Sequence, residues 1–398
     1  MKKSLLAVAV AAALPAAAFA QTNVTLSGIV KVGVANTKYS NGENFAGASY
    51  GNGSNTSLDD GSSRFIISGS EDLGGGMKGI FMVDSRFRPD VGTGTLASGN
   101  SFVGLAGGFG SIRAGRLDQY YHLGTDEFGA RAVALQHSNI SILSWVGGVG
   151  NLTAAGTPAA TAAAATGVPG LAAIANASRS ANMLRYDLPA MGGLSGGVGF
   201  SNNFQADDGA IGDAGKGTAW TADLAWRGGP ITVGGAYWTA DFEGQTATTG
   251  KNDGQRAWRL YGNYNFGVFS VGLTVDESKI KGITVPIVGA TSGDFKRTAW
   301  SLPVTAKVGP GTLLFTYTQA RDVKGPGGTL SDSGAKMFSI GYDYPLSKRT
   351  SVGVSYTNLN NDSGANYALF TSTALGGHDQ PVAGTDQRQL YVGLRHAF

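Results

Sequence analysis

The chain has 398 residues, a formal net charge of +3, no cysteine and only 14% charged residues. Nearly balanced charge argues against a nucleic-acid binder, which needs a strongly basic surface, and the lack of cysteine excludes a secreted fold held by disulfides. The 63 glycines are about twice the usual share, while 18 Phe, 14 Tyr and 6 Trp argue against a disordered chain.

Residues 1–20, MKKSLLAVAVAAALPAAAFA, have the three parts of a secretory signal peptide. Two lysines form the positive region, a short apolar run follows, and Ala-Phe-Ala has the small-x-small form of a cleavage site. We expect cleavage after Ala20, with residues 21–398 as the exported domain. An N-terminal membrane anchor is the less favoured alternative, because no long apolar stretch follows.

Beyond the signal, hydrophobic residues alternate with a period of two, which predicts β-strands. In VTLSGIVKVGVA, residues 24–35, one face carries Val24, Leu26, Val30, Val32 and Val34. Most of the predicted strands have 10 to 13 residues, as a tilted strand needs to cross a bilayer. The sixteen candidates are 24–35, 62–73, 77–88, two within 101–117, 180–190, 194–203, 218–228, 231–242, 256–266, 267–278, 296–308, 312–322, 335–345, 349–359 and 387–398.

The connections between these strands alternate between short and long. The short ones are 74–76, 107–110, 190–193, 228–230, 266–267, 309–311 and 345–348, and the long ones lie near 36–61, 89–99, 121–179, 204–217, 243–255, 279–295, 323–334 and 360–386. Short turns on one side and long loops on the other are typical of outer-membrane barrels. The pattern predicts an all-β fold, a 16-stranded antiparallel transmembrane β-barrel with short periplasmic turns and long external loops.

The last segment, LYVGLRHAF at 390–398, alternates up to its final residue. A barrel must pair its last strand with its first, or an open strand edge would face hydrocarbon. We therefore expect Leu394, His396 and Phe398 on the lipid-facing side of a closing strand. Polar side chains should face inward, because an apolar interior of this width could not be filled.

The longest connection, 121–179, is predicted to be the third external loop. Residues 132–178 carry no Asp, Glu, Lys or Arg, and 151–178 is an Ala-rich stretch of low complexity. Alanine favours a helical turn there, but proline and glycine limit it. The extension is open to several interpretations: it narrows the pore, covers the mouth, contacts a neighbouring subunit, or is simply a mobile exposed loop.

Several blocks resemble the general diffusion porins of Gram-negative bacteria, most nearly the beta-proteobacterial type. They are NVTLSGIVKVGVA, GSSRFIISGSEDLGGGMKGIF, FVGLAGGFGSIRAGR and the terminal YVGLRHAF. The resemblance implies a passive channel for small ions and hydrophilic solutes, a homotrimer, and a third loop folded into the lumen as a constriction. It also implies contact with outer-membrane lipid and lipopolysaccharide, and insertion by the barrel assembly machinery through the C-terminal strand.

The stretch TDEFGAR resembles the family's Pro-Glu-Phe-Gly-Gly loop motif at Glu127, Phe128 and Gly129. It departs from the motif at Asp126 and Ala130, and the second loop acid of the family is replaced by Leu123. The resemblance implies that Asp126 and Glu127 form the acidic side of the constriction. It places Arg64 on the opposite, basic wall.

Strand parity adds Lys31, Arg86, Arg88 and Arg113 to that basic wall. Opposed charges across a narrow lumen create a transverse field that sets ion selectivity, and the excess of cations favours a weak preference for anions. Two plainer interpretations stay open. In the first, the wall cations are solvated charges without a role in ion selectivity. In the second, Glu127 only anchors the loop by a hydrogen bond.

Other functions fit less well. The histidines at 122, 137, 378 and 396 lie outside any Ser/His/acid or metal-ligand pattern, so neither an enzyme nor a cofactor is expected. A substrate-specific channel would need an aromatic ladder, which Trp238 and Tyr261 do not form. A surface adhesin barrel, with binding carried by its long loops, is the third alternative.

Overall fold

The computed structural model describes residues 23–40, 53–59, 61, 63–119, 133–136, 139–143, 179–202, 204, 217–242, 254–285, 291–365, 367–369 and 384–398. Almost all of these residues lie in strands or tight turns, and a single 3-10 turn is found at Asn139–Ser141. In this part of the chain, no helix has the length and apolar character needed to cross a membrane.

The described residues form twenty strands, and sixteen of them build the wall. They are β1 (Asn23–Ser40), β2 (Gly53–Asp59), β3 (Arg64–Gly74), β4 (Met77–Arg88), β5 (Thr93–Thr95), β6 (Ser101–Gly107), β7 (Gly110–Asp118), β8 (Arg179–Asp187), β9 (Leu194–Asn202), β10 (Gly217–Gly228), β11 (Ile231–Phe242), β12 (Gly254–Asn265), β13 (Phe269–Val285), β14 (Thr291–Val308), β15 (Gly311–Ala320), β16 (Lys324–Gly325), β17 (Gly328–Thr329), β18 (Ala335–Pro345), β19 (Thr350–Asn361) and β20 (Asp386–Ala397). The short strands β2, β5, β16 and β17 extend the hairpins on the long-loop side.

Every wall strand pairs antiparallel with its neighbour in sequence, and β20 pairs with both β19 and β1. The sheet therefore closes into a barrel, as the sequence predicted. At the seam, the backbone N–H groups of Gly28 and Phe398 donate to each other's carbonyl oxygens at 3.1 Å. The Phe398 ring covers Gly28, where a Cβ would lie 2.9 Å from its Cε1 atom. Closure leaves neither chain-end strand with an open edge.

The two faces of the wall have opposite character. Outward side chains are large and apolar, and Leu394 is 53% and Phe398 42% exposed. Inward side chains are polar or small, and among them Ser339, Arg259 and Asp276 are fully buried. This is the reverse of a soluble barrel and matches a wall that faces lipid on the outside and water on the inside. The predicted orientation of the terminal strand is confirmed, with Leu390, Val392 and Leu394 outward and Tyr391 inward.

Glycine residues provide the backbone conformation that a short turn needs. The turn between β3 and β4 has Gly75 at φ 61° and Gly76 at φ 79°, a left-handed conformation that most side chains disfavour. The predicted glycine-rich turn is therefore found where the sequence placed it.

The largest differences from the expected boundaries lie on the long-loop side. Residues 279–295 were expected to be a loop, but β13 reaches Val285 and β14 begins at Thr291. The alternation simply continues beyond the length that a bilayer requires. Likewise β1 extends to Ser40 and pairs there with β2, inside the loop expected at 36–61. Arg179, expected at the end of the third loop, belongs to β8 and pairs with Asp118.

Candidate functional site

The lumen wall carries cations on four neighbouring strands. Arg395 of β20 lies opposite Lys31 of β1, and Arg64 of β3 lies opposite Arg86 of β4. Arg88 follows on the same face of β4, because inward residues recur at every second position. We call these five residues the cation arc. All but Arg395 were expected in the basic wall, and the structure places each of those four on the lumen side.

Two carboxylates lie against three members of the cation arc. The buried Asp84 lies 3.7 Å from Arg64 Nη1 and 3.2 Å from Arg86 Nε, and Asp90 lies 3.1 Å from Arg88 Nη2. Arg86 and Arg88 keep side-chain exposures of 26% and 31%. These two arginine side chains therefore still reach water in the lumen.

A second row of charges lies on β7 to β10. Arg113, also expected in the basic wall, is 2.6 Å from Asp187, and its guanidinium carbon lies 5.1 Å above the centre of the Phe102 ring. Arg185 bridges Asp187 at 2.7 Å and Asp223 at 2.5 Å. We call Arg113, Asp187, Arg185 and Asp223 the flat row, because its side chains lie along the wall.

Glycine makes the flat row possible. Arg185 must cross β9 to reach Asp223 on β10, and it crosses at Gly197. A Cβ at Gly197 would lie 2.7 Å from Arg185 Nη2 and 2.9 Å from Asp187 Oδ1. Only a residue without a side chain leaves room for both groups against the backbone.

A buried ion triad lies on β12 to β14. Asp276 accepts hydrogen bonds from Arg259 Nη2 at 2.8 Å and from Arg297 Nη2 at 2.5 Å. The carboxylate and Arg259 are fully buried, and Arg297 is nearly so. Charges at this depth need partners, and each of the three has one.

Part of the β7–β8 connection lies inside the barrel. Residues 133–136 and 139–143 follow the inner wall from β1 to β14, and their backbone and polar groups bond to wall side chains. Lys31 Nζ donates to the Leu135 carbonyl, and Arg297 Nη1 donates to the Ile142 carbonyl. The Ala134 N–H donates to Asp343 at 2.7 Å, and the Asn139 amide donates to Ser301 at 2.9 Å. We call these residues the inner segment.

Small residues form the bed of the inner segment. The Leu135 side chain lies over Gly341 of β18 and Gly353 of β19, where Cβ atoms would lie 2.7 Å and 2.6 Å from its methyl groups. Ser355 is equally buried beneath Gln136, whose N–H donates to its hydroxyl at 3.4 Å. Because these wall residues have small side chains or none, the inner segment packs close to the sheet.

The last long connection, between β19 and β20, also enters the barrel. Asn361 holds its backbone, because the Asn361 amide donates to the Tyr367 carbonyl and accepts from the Tyr367 N–H, both at 2.9 Å. Burial raises the pKa of the Tyr367 phenol, and the nearby Arg297 guanidinium acts in the opposite direction. Both connections join one buried apolar cluster of Ile142, Leu143, Ala299, Ala320, Ala335, Met337, Leu359, Ala365, Tyr367 and Leu369.

The expected acidic side of the constriction, Asp126, Glu127, Phe128 and Gly129, lies outside the described residues, as does the Ala-rich stretch 151–178. Their roles stay predictions. Sequence reasoning missed Arg395, Arg185, Arg297 and Asp276 as site residues. Strand parity would have found Arg395, Arg185 and Asp276, since each follows an outward apolar residue, whereas Arg297 lies between Lys296 and Thr298 and gives no such signal.

Comparison with known proteins identifies the barrel. The sequence model of the Gram-negative porin family matches residues 7–366. The chain belongs to this family. The porin is 29% identical to outer membrane porin protein 32 of Delftia acidovorans over the whole of both chains. Its fold is similar to that of an anion-selective porin from Comamonas acidovorans, with a TM-score of 0.65 and 23% identity over 95% of this chain and 100% of the other. It is also similar to the trimer form of OmpT from Vibrio cholerae, with a TM-score of 0.59 and 13% identity over 95% and 99% of the two chains.

The predicted family, fold and location are thus confirmed. The porin is a channel of the outer membrane of a Gram-negative bacterium, and small hydrophilic solutes and ions diffuse passively through its barrel.

Proposed function

We propose that the porin prefers small anions weakly over cations, and that the cation arc sets this preference. The observation that carries the proposal is the placement of Lys31, Arg64, Arg86, Arg88 and Arg395 on the lumen face of four adjacent wall strands. A ring or arc of one charge sign raises the local concentration of the opposite ion. The related porin from Comamonas acidovorans is described as anion-selective, which supports the same sign here.

We also propose that the third loop narrows the channel. The position of the inner segment supports this, because backbone that occupies the lumen reduces the area left for water. The expected acids Asp126 and Glu127 belong to the same loop and would face the cation arc across the remaining opening. Solutes would then cross a transverse field, in which dipolar molecules align and apolar molecules gain nothing for losing their hydration.

The proposed partners follow from the location. A trimer is supported by the trimer form of the OmpT neighbour, and the apolar outer face fits contact with outer-membrane lipid and lipopolysaccharide. The paired and ordered terminal strand fits a signal for the barrel assembly machinery. Members of this family are channels, and the proposal gives the chain no catalytic role.

Replacement of Arg64 by glutamine is expected to lower the anion-to-cation permeability ratio. A unit charge about 10 Å from a permeating ion in water changes its energy by about 0.4 kcal/mol, or roughly a factor of two. Reversal potentials measured across planar bilayers in a salt gradient report the ratio. The shift should shrink as salt rises, because ions screen the charge.

The matched control is Arg388→Gln, which removes the same charge from an exposed position on the opposite face of β20. Its permeability ratio should equal that of the unmodified porin. Equal ratios for Arg64→Gln and the unmodified porin would remove Arg64 from the selection mechanism. Large current steps with no ion preference at all would reject the proposed selectivity while leaving the channel itself intact.

A further inference from the structure

The outer face of the barrel carries a row of like charges that the channel does not use. Arg256 of β12 lies directly opposite Lys279 of β13, Lys279 opposite Lys296 of β14, and Lys296 opposite Lys324 of β16. Paired residues of an antiparallel sheet point to the same side. Strand parity places that side outward, with the exposed Leu260 and Leu273 on the same faces of β12 and β13. We call these four residues the cation ladder.

Neighbouring carboxylates balance the cation ladder only in part. Lys279 Nζ lies 2.6 Å from Asp294, and Lys296 Nζ lies 2.6 Å from Glu277. Lys281 adds a cation on the outward face of β13, and Asp241 adds a carboxylate beside Gly254. Among the residues that the structure describes, the patch holds five cations and three carboxylates. Both paired lysines stay open to the outside, with side-chain exposures of 36% and 42%.

Folding alone does not favour such a row. Like charges directly opposite each other on one face of a sheet are destabilising, and here the pattern is repeated across three successive strand pairs. Long cationic side chains remain favourable where an anion lies between them, because charge-assisted hydrogen bonds are stronger than neutral ones. An anionic partner outside the wall would offset the repulsion.

The height of the cation ladder identifies where that partner lies. At the short-turn end of the same strands, the Phe266 and Phe269 rings stack with centres 4.5 Å apart, and the tilted Tyr264 ring has its centre 4.4 Å from that of Phe266. Arg256 lies eight residues from Tyr264 along β12, which is about 27 Å along the strand and about 20 Å of height at a tilt of about 40°. The apolar band of such barrels is about 25 Å tall. The cation ladder therefore lies near the external edge of that band.

A second aromatic level lies just below it. Trp258 of β12 pairs with Tyr237 of β11, one outward row nearer the middle of the barrel than Arg256. Tyrosine and tryptophan prefer the boundary between hydrocarbon and head groups. Cations directly outside that boundary meet the head groups of the outer leaflet, where phosphate is the common anion of Gram-negative lipid.

We propose that the cation ladder binds phosphate groups of the phosphorylated glycolipid of the outer leaflet, the lipid A part of lipopolysaccharide. The inference rests on the proposed lipopolysaccharide contact and assigns it to these residues. A second copy of the chain is a poorer occupant, because two net-positive patches repel each other. Phosphate oxygens accept several hydrogen bonds at once, which suits ammonium and guanidinium groups spaced along a sheet.

The test uses the double variant Arg256→Gln and Lys324→Gln, which leaves both ion pairs of the patch in place. Its binding to bisphosphorylated lipid A is compared with that of the unmodified porin by native mass spectrometry in detergent. One cation near an anionic surface contributes about 1 kcal/mol, or about fivefold in affinity, so the double variant should bind about 25-fold more weakly. Lys348→Gln, in a short turn at the other end of the barrel, is the matched control and should bind like the unmodified porin.

Two further arms identify the source of the phosphate. Lipid A that has been dephosphorylated enzymatically keeps its acyl chains and should bind both proteins equally and weakly. Inorganic phosphate at millimolar concentration should displace little lipid A. Equal lipid A binding by the double variant and the unmodified porin overturns the inference, and so does saturation of the cation ladder by free phosphate alone.

A gain of dimers or higher assemblies in the double variant would point to a second copy and also overturn the inference. Single-channel conductance of the double variant should be unchanged. Normal conductance with normal lipid binding would reject the cation ladder alone, whereas an electrically silent unmodified protein would reject the channel. If the double variant does not fold, Arg256→Gln by itself should still show about fivefold weaker binding.

Discussion

Replacement of Arg297 by methionine is expected to lower the free energy of unfolding by about 3 kcal/mol, because it removes one of the two guanidinium groups that donate charge-assisted hydrogen bonds to the buried Asp276 carboxylate. The same change removes the donor to the Ile142 carbonyl and so frees one end of the inner segment from the wall. We therefore expect noisy open-channel currents with frequent brief closures. Denaturant titration in detergent measures the first effect, and single-channel recording measures the second.

Arg259→Met is the matched control, because Arg259 donates to the same Asp276 carboxylate from the neighbouring strand. It should lower the stability by a similar amount without increasing the noise of the open-channel current.

Gly353→Val should act in another way, since its side chain would displace Leu135 and the Ala134 carbonyl, which lies 3.0 Å from a Cβ at this position. The inner segment is then pushed towards the axis, and conductance should fall without added noise. A quiet, full-sized current in Arg297→Met would show that this contact does not position the inner segment.

Removal of residues 390–398 is expected to abolish barrel formation altogether. The deleted part of β20 pairs with both β1 and β19. Without it, two strand edges would expose backbone N–H and C=O groups to hydrocarbon. Each unsatisfied group costs several kcal/mol of free energy. Heat-modifiable migration in gel electrophoresis and resistance to protease distinguish folded from unfolded chains. The truncated protein should lack both properties, in cells and after refolding into detergent.

The variant Phe398→Ala separates closure from recognition. It keeps the two backbone hydrogen bonds between residue 398 and Gly28, so refolding into detergent should succeed. If the assembly machinery reads the terminal aromatic ring, the same variant should accumulate unassembled in the periplasm of cells. Assembly at the normal level would reject that reading. A folded barrel formed by the truncated chain would instead contradict the account of closure.

The architecture was predictable because one rule, alternation with a period of two, acts in every wall strand. Leu394 and Phe398 lie outward as the alternation requires, and most of the short turns contain glycine. The ends on the long-loop side were less predictable. Strands β13 and β14 extend beyond the bilayer as a hairpin, and no membrane thickness limits them there.

The candidate site was predictable only in part. Parity placed Lys31, Arg86, Arg88 and Arg113 on the lumen face, and the family resemblance placed Arg64 there, but neither gives information on their partners. The contacts of Lys31 with Leu135 and of Arg297 with Ile142 join residues more than a hundred positions apart. Such contacts depend on how a loop without charges lies on the wall, which no local pattern determines. The cation ladder likewise becomes visible only when the register of four strands is known.

The diameter available to a solute depends on residues that no solute touches. Gly197 lies beneath the flat row, and Gly341 and Gly353 lie beneath the inner segment. A single methyl group at any of them would lift charged or bulky groups towards the axis. Mutations that alter permeation are therefore expected at these glycines as well as at the charged residues above them.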